Sequence, residues 1–265
     1  MTADPGRPRL LILGGTAEAA ALARIAVDRL GSRLEVTSSL AGRTKRPSAL
    51  PGKVRIGGFG GADGLAAYLR EAGIDTLVDA THPFAAHISR HARLACEAAR
   101  VPRLVLSRPE WVERPGDRWT SVPDLAAARA VLPGVGRRAF LTIGVKDLHI
   151  FSGMPEVWFL VRLIEPPARD LPLDRHAVIH GRGPFGLAQE RALLAEHRVD
   201  VLVTKASGGA ATEAKLMAAR AAEVPVIMVS RPRPEPGPRV AQIADAVSWL
   251  EEQLTGLDRA GGERP

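Results

Sequence analysis

The chain has 265 residues, of which 46% are hydrophobic and 25% charged, the balance of a globular protein with room for one large domain or two ordinary ones. The 36 Lys and Arg outnumber the 29 Asp and Glu by a net +7, but they are dispersed and no basic block alternates with aromatics, so nucleic acid is not an expected partner. No apolar run reaches the roughly eighteen residues that cross a bilayer, the first residues do not read as a signal peptide, and a single cysteine, Cys96, excludes an intrachain disulfide and a cysteine-rich zinc site.

These features predict a cytoplasmic protein with no metal and no membrane partner, and Cys96 as a packed thiol in a helix. The first informative stretch is Leu10-Leu-Ile-Leu-Gly-Gly-Thr-Ala-Glu-Ala19, followed by an alanine-rich amphipathic segment to about Leu30. An apolar run, a glycine turn and a helix predict a buried parallel strand whose helix begins at the turn. The free amides and the dipole at such a helix start form a seat for a phosphate. Gly14 and Gly15 leave the backbone open to a ligand's oxygens, and Thr16 adds a hydroxyl. The spacing is short of the full Gly-x-Gly-x-x-Gly fingerprint, so a turn with glycines only for tightness stays open at this point.

Leu34 to Ser39 reads as a second strand running into Leu40-Ala-Gly-Arg-Thr44. In a dinucleotide fold this strand end lies beside the adenosine ribose, where NAD enzymes place an acidic residue. Ser38, Ser39, Arg43 and Thr44 instead supply hydroxyls and a cation, which suit a 2′-phosphate and so NADP; a solvated turn is the alternative. A short strand, Val54 to Gly58, leads into Phe59-Gly-Gly61, and Asp63 is expected to cap a helix closed by Gly73. Thr76 to Ala80 is a strand opening on Thr81-His-Pro-Phe84, Pro83 suits the start of a helix reaching Arg100, and Val101 to Leu106 is a further strand. This order predicts a doubly wound parallel sheet with its informative turns on one rim.

Ser107 to Asp117, rich in Pro, Arg and Gly and carrying Trp111, reads as a linker. Beyond it come a helix from Val122 to Leu132, a strand from Arg138 to Gly144 followed by Lys146 and Asp147, and an apolar strand from Val157 to Ile164 with Arg162 embedded. Ala177 to Gly181 is a strand opening on Arg182-Gly-Pro-Phe185 and a helix to about His197. Asp200 to Thr204 is a strand ending in Lys205-Ala-Ser-Gly-Gly209, with a helix from Ala211 to Ala222 behind it. Pro225 to Val229, a loop from Ser230 to Arg239 and a helix from Ala241 to Leu254 complete the pattern, with little to order the tail from Gly256. The expected architecture is α/β, with two open, mostly parallel Rossmann-like sheets flanked by helices and facing across a cleft. Residues 1–108 form the nucleotide-binding domain and residues 109–265 a second α/β domain.

In the second half, Thr204, Lys205, Ser207 and Gly208 place two hydroxyls, an ammonium and glycine backbone at a strand end. They can hold a carboxylate, phosphate or carboxamide, and Lys205 can donate a proton from a pocket that lowers its pKa; a capping turn is the alternative. Arg182 suits a bidentate grip on a carboxylate, with Lys146 a weaker partner, and a surface turn is equally open. Arg162 in an apolar strand requires either an ion-pair partner or a ligand. His82 allows acid–base chemistry, whereas His87 and His91 lie one helical turn apart without a third ligand.

These motifs together resemble the precorrin-6A reductase family of cobalamin biosynthesis, from about Arg9 to Leu254. The resemblance rests on Leu13-Gly-Gly-Thr-Ala-Glu-Ala19, Ser39-Leu-Ala-Gly-Arg-Thr44, Asp79-Ala-Thr-His-Pro-Phe-Ala85, Arg182-Gly-Pro-Phe185 and Thr204-Lys-Ala-Ser-Gly-Gly209. It implies NADPH-dependent reduction of one double bond in a polycarboxylate tetrapyrrole, precorrin-6A, to give precorrin-6B. It also implies that Gly14, Gly15 and Thr16 hold the pyrophosphate and that Ser38, Ser39, Arg43 and Thr44 hold the 2′-phosphate end. Thr81, His82 and Pro83 then line the path to the nicotinamide. Thr204, Lys205, Ser207 and Gly208 touch nicotinamide or substrate, and Arg182 and Lys146 meet its carboxylates. Reduction of cobalt-precorrin-6A and a non-catalytic NADP-binding sensor are the rival readings.

Overall fold

A computed structural model of the protein describes residues 6–42, 49–167 and 169–262. The chain divides into two units, Met1–Arg108 with Pro232–Pro265, and Pro109–Arg231. The expected second domain, 109–265, is thereby corrected, because its last segment crosses back to the first unit.

In the first unit the chain forms β1 (Arg9–Leu13), α1 (Ala17–Leu30), β2 (Glu35–Leu40), β3 (Lys53–Ile56), α2 (Gly61–Glu71), β4 (Thr76–Asp79), α3 (Ala86–Ala99) and β5 (Arg103–Leu106). The second unit supplies β6 (Trp119–Val122), α4 (Leu125–Val135), β7 (Arg138–Leu141), β8 (Trp158–Leu163), β9 (His176–His180), α5 (Leu187–Glu196), β10 (Val201–Lys205), α6 (Ala214–Ala221) and β11 (Val226–Val229). Short 3₁₀ turns cover Val145–Phe151 and Ala210–Thr212, the latter in place of the expected start of the α6 helix. The returning segment adds β12 (Arg239–Val240) and α7 (Ile243–Gly262), so the stretch beyond Gly256 continues a helix instead of fraying.

Every strand pairing is parallel, in the orders β12-β5-β4-β1-β2-β3 and β6-β11-β10-β7-β8-β9. From β1 and from β7 the chain runs outward, returns to the other side of that strand and runs outward again, with β6, the first strand of the second unit, at that sheet's edge. The reversal falls between β1 and β4 in one sheet and between β7 and β10 in the other. The two edge strands β6 and β12 carry no sequence signal: β6 buries only Val122, and β12 has two residues, neither fully buried.

The first sheet has an apolar layer on each face. Leu10, Ile12 and Val36 pack with Leu22, Ala23 and Ala26 of α1 and with Ala246, Val247 and Leu250 of α7. Leu11, Leu13 and Leu77 pack on the other face with Leu65 and Leu69 of α2 and with Ala92 and Cys96 of α3. Each fully buried Leu or Ile contributes about 1.5–3 kcal/mol, so both layers are needed. Cys96 sits in this packing, and burial pushes its thiol up to about 12. Asp63 does not cap α2; Gly60, in the left-handed region at φ 80°, occupies that place, and Asp63 lies in the first turn beside the helix's positive end. Helix α3 starts at Ala86, three residues after Pro83.

Candidate functional site

In open parallel sheets the ligand crevice lies beyond the carboxyl ends of the strands, where the order reverses. In the first unit that point is flanked by Gly14-Gly-Thr16 after β1 and Ala80-Thr-His82 after β4. The Gly14 amide continues the ladder to Ser39 O at 2.9 Å. Gly15 takes φ 107°, a conformation that disfavours any side chain, and the space where its Cβ would stand holds no atom within 4 Å. The backbone at Gly15 is thus open on its Cβ side, directly before the start of α1, where helix amides favour a phosphate. The Thr16 hydroxyl is committed elsewhere: it accepts from Ala19 N at 3.1 Å as the cap of α1 and donates to Ala80 O at 2.7 Å across the reversal point. Only its backbone remains for a ligand.

Glu18, in the first turn of α1, would oppose an anion there, but Arg108 pairs with it at 2.9 Å. Sequence reading placed Arg108 in a linker; the carboxylate in an otherwise anion-binding turn is the signal that asks for a cation.

Ser38 and Ser39 are 2% and 6% exposed within β2. Ser38 pairs in register with Ile12 and so faces the α1 layer, its hydroxyl buried without a partner among the described residues. Arg43 and Thr44 lie outside the described residues. No carboxylate stands between Thr37 and Gly42. Asp79, 1% exposed at the end of β4, accepts from Thr81 N at 3.1 Å and from Thr81 Oγ1 at 2.7 Å, which fixes the turn. His82 is exposed, and its Nδ1 accepts from Phe84 N at 3.2 Å. Pro83 is partly covered in the same turn.

The reversal point of the second unit is built from charge. Lys205 Nζ reaches across it to donate to Ile143 O at 3.2 Å and to Asp147 Oδ2 at 2.5 Å. Thr204 is 1% exposed inside β10, so its hydroxyl is a wall group, while Ser207 is 8% exposed in the turn. Gly208 and Gly209 take φ 67° and 80°. Lys146 is exposed on the 3₁₀ turn after β7, and Arg182 is exposed after β9; neither has an ion-pair partner among the described residues. Arg162 is resolved as structural: it makes a two-pronged bond to Glu190 of α5, at 2.6 and 3.0 Å, and its guanidinium lies 3.9 Å from the ring centre of Phe185. The pair therefore anchors the turn that carries Arg182.

Among the described residues no helix is long and apolar enough to cross a membrane. The family model described as precorrin-6x reductase CbiJ/CobK matches residues 9–251. A precorrin-6A reductase from Rhodococcus erythropolis is 50% identical over 244 residues, covering 91% of this chain and 97% of that one. A cobalt-precorrin-6A reductase from Priestia megaterium is 29% identical, over 92% of this chain and 98% of that one. The solved structure titled CobK precorrin-6A reductase is 43% identical and superimposes with a TM-score of 0.88, covering 93% of this chain and 97% of its own. A match over nearly the whole chain in sequence and in structure means that this protein belongs to the precorrin-6x reductase CbiJ/CobK family.

Proposed function

We propose that NADPH is the hydride source for this reductase, that the first unit binds it, and that the cobalt-free precorrin-6A macrocycle is reduced to precorrin-6B. The observation that carries the cofactor reading is the turn at Gly14 and Gly15, where a strand ends at the sheet's reversal point, the Cβ side of Gly15 is open and a helix begins. The absence of a carboxylate after Ser39, together with Arg43 and Thr44 in the sequence that follows, supports a 2′-phosphate over a free ribose. The 50% identity to a cobalt-free enzyme against 29% to a cobalt-precorrin enzyme supports the cobalt-free substrate. A cytoplasmic setting accords with the single, buried cysteine.

Bound nicotinamide supplies the hydride. The residues of this chain bind, orient and supply polar contacts. The backbone of Gly14, Gly15 and Thr16 receives the pyrophosphate, with Arg108 neutralising Glu18 beside it. Ser39, Arg43 and Thr44 take the adenosine end, and Ser38 shapes it from beneath. Asp79 holds Thr81, and with it His82 and Pro83, along the path to the nicotinamide. Lys205, kept in place by Asp147, and Ser207 offer donors at the second reversal point, with Thr204 behind them. Arg182 and Lys146 are the exposed cations suited to the substrate's carboxylates. A proton reaches the adjoining carbon from Lys205, from water or from a substrate carboxyl, and orientation supplies much of the rate.

The test is Arg43→Ala, titrated with NADP⁺ and NAD⁺ by protein fluorescence and assayed with NADPH and NADH. The expected result is a loss of about tenfold or more for the phosphorylated cofactor and little change for the other. Equal losses remove the 2′-phosphate assignment. Assaying precorrin-6A beside its cobalt complex checks the substrate, and faster turnover of the complex reverses that choice.

A further inference from the structure

We infer that Arg231, assisted by Trp111, is the positioning residue of the Lys205–Gly209 turn, holding its carbonyl side so that the amides of Gly208 and Ala210 are presented to an acceptor oxygen of a ligand. The inference rests on the reading that this turn meets nicotinamide or substrate. Arg231 Nε donates to Ala206 O at 2.7 Å, and its Nη2 donates to Ser207 O at 3.0 Å and to Pro109 O at 3.4 Å. Trp111 Nε1 donates to Gly209 O at 3.0 Å, and its ring centre lies 4.9 Å from Lys215 Nζ. Three of the turn's carbonyls are thus held by two side chains, one from each stretch that joins the units.

A trans peptide points its C=O and the following N–H in opposite directions. Fixing Ser207 O on Arg231 therefore turns the Gly208 N–H away from the guanidinium, and fixing Gly209 O on Trp111 turns the Ala210 N–H away from the indole. Of the other amides of the turn, Ala206 N donates to Val229 O at 2.8 Å and Ser207 N to Lys205 O at 2.6 Å, while Gly209 N has no acceptor among the described residues but belongs to a peptide whose carbonyl neither side chain holds. The amides of Gly208 and Ala210 have no acceptor among the described residues. Gly208 is buried, and a buried N–H without an acceptor is costly enough that folded proteins rarely keep one unless something else satisfies it. The packing also explains the glycine: a Cβ at 208 would stand 2.0 Å from Pro109 O and 2.5 Å from Arg231 Nη2.

Two amide donors beyond the carboxyl end of β10 suit the oxygens of a carboxamide or carboxylate. The nicotinamide carboxamide and the acetate or propionate arms of the tetrapyrrole share that chemistry. The experiment compares Arg231→Met, Arg231→Lys, Trp111→Phe and Ser207→Ala in the full chain. It measures kcat, both KM values and the thermal midpoint.

Arg231→Met is expected to lower kcat/KM by about tenfold or more while the protein stays folded at the assay temperature, and Arg231→Lys to recover part of that loss. A rise confined to the KM for NADPH assigns the carboxamide, and one confined to the KM for precorrin-6A assigns a substrate carboxylate. Unchanged kinetics in Arg231→Met beside an impaired Ser207→Ala overturns the inference and leaves the turn in the site. Silence in all four overturns the reading of the turn as well. Where Arg231→Met does not fold, Trp111→Phe, which keeps the ring and loses only the donor, decides the matter: a loss of about threefold or more supports the clamp and none refutes it.

Discussion

Five strands of each unit share one order and reverse it at corresponding places; a threonine hydroxyl spans each reversal, and in the second an ammonium is added. In the first, Thr16 crosses from β1 to Ala80 O with a neutral hydroxyl. In the second, Thr142 donates its hydroxyl to Val203 O at 3.3 Å, and Lys205 also crosses from β10 to Ile143 O and Asp147 with an ammonium. The pattern extends outward. Around the first rim Thr16 and the Asp79 carboxylate order the turns after β1 and β4, Arg55 holds the Gly57 and Gly58 carbonyls after β3, and Glu18 is paired by Arg108. Around the second rim, Arg162–Glu190 is largely buried, and Arg231 donates to the carbonyls of Ala206 and Ser207 with Glu110 3.7 Å away. On the proposed reading, backbone amides and a helix dipole attract the pyrophosphate at the first rim, and the exposed cations of the second meet a polyacid while Arg162 is tied off by Glu190.

Breaking that contrast at its strongest point gives the largest effect. Arg162→Ala leaves Glu190 buried and unpaired, and the expected loss in denaturant unfolding is about 3–5 kcal/mol; replacing both by Met and Leu restores most of it. A double replacement as damaging as the single one means the pair does more than satisfy itself. Next comes the neutral crossing. Thr16→Val removes a cap and the bond to Ala80, with an expected cost of about 0.5–2 kcal/mol. Its NADP⁺ affinity should change little, and a tenfold fall at unchanged stability would show the hydroxyl to be a phosphate ligand.

The smallest effect lies on the first unit's outer strands. The hydrogen bond from Lys53 is the main reason the Glu35 carboxyl lies below its usual 4.5. A lowered acid stabilises above its unfolded-state value and loses that contribution as pH falls through the folded one. Lys53→Met should therefore cost under about 1 kcal/mol at neutral pH, and the difference from the parent should vanish in acid. A difference that persists at low pH points to lost packing of the lysine stem instead.

Much of this arrangement can be read locally. Buried parallel strands are continuous apolar runs, so β1, β8, β10 and β11 announce themselves, and glycines or cap residues mark their exits. What escapes is what depends on distant partners. Strand β6, Trp119-Thr-Ser-Val122, exists only because β11 lies beside it, and β12 only because β5 does. Arg231 and Trp111 sit in stretches whose Pro, Gly and Arg content reads as connection, and only their bonds to the 206–209 carbonyls reveal a task. Thr16 and Ser38 show the opposite error: hydroxyls at the expected place, turned inward by the cap and by strand register.

The return of the chain to its first unit has a consequence for synthesis on the ribosome. The layer of Leu10, Ile12 and Leu22 is closed by Ala246, Val247 and Leu250, which emerge after everything between them has been made. The second unit, whose strands all lie between Pro109 and Arg231, can finish its sheet while the first still exposes a bare apolar face. The strand and helix that flank the proposed seat at Gly14 and Gly15 therefore lack part of their packing until α7 docks.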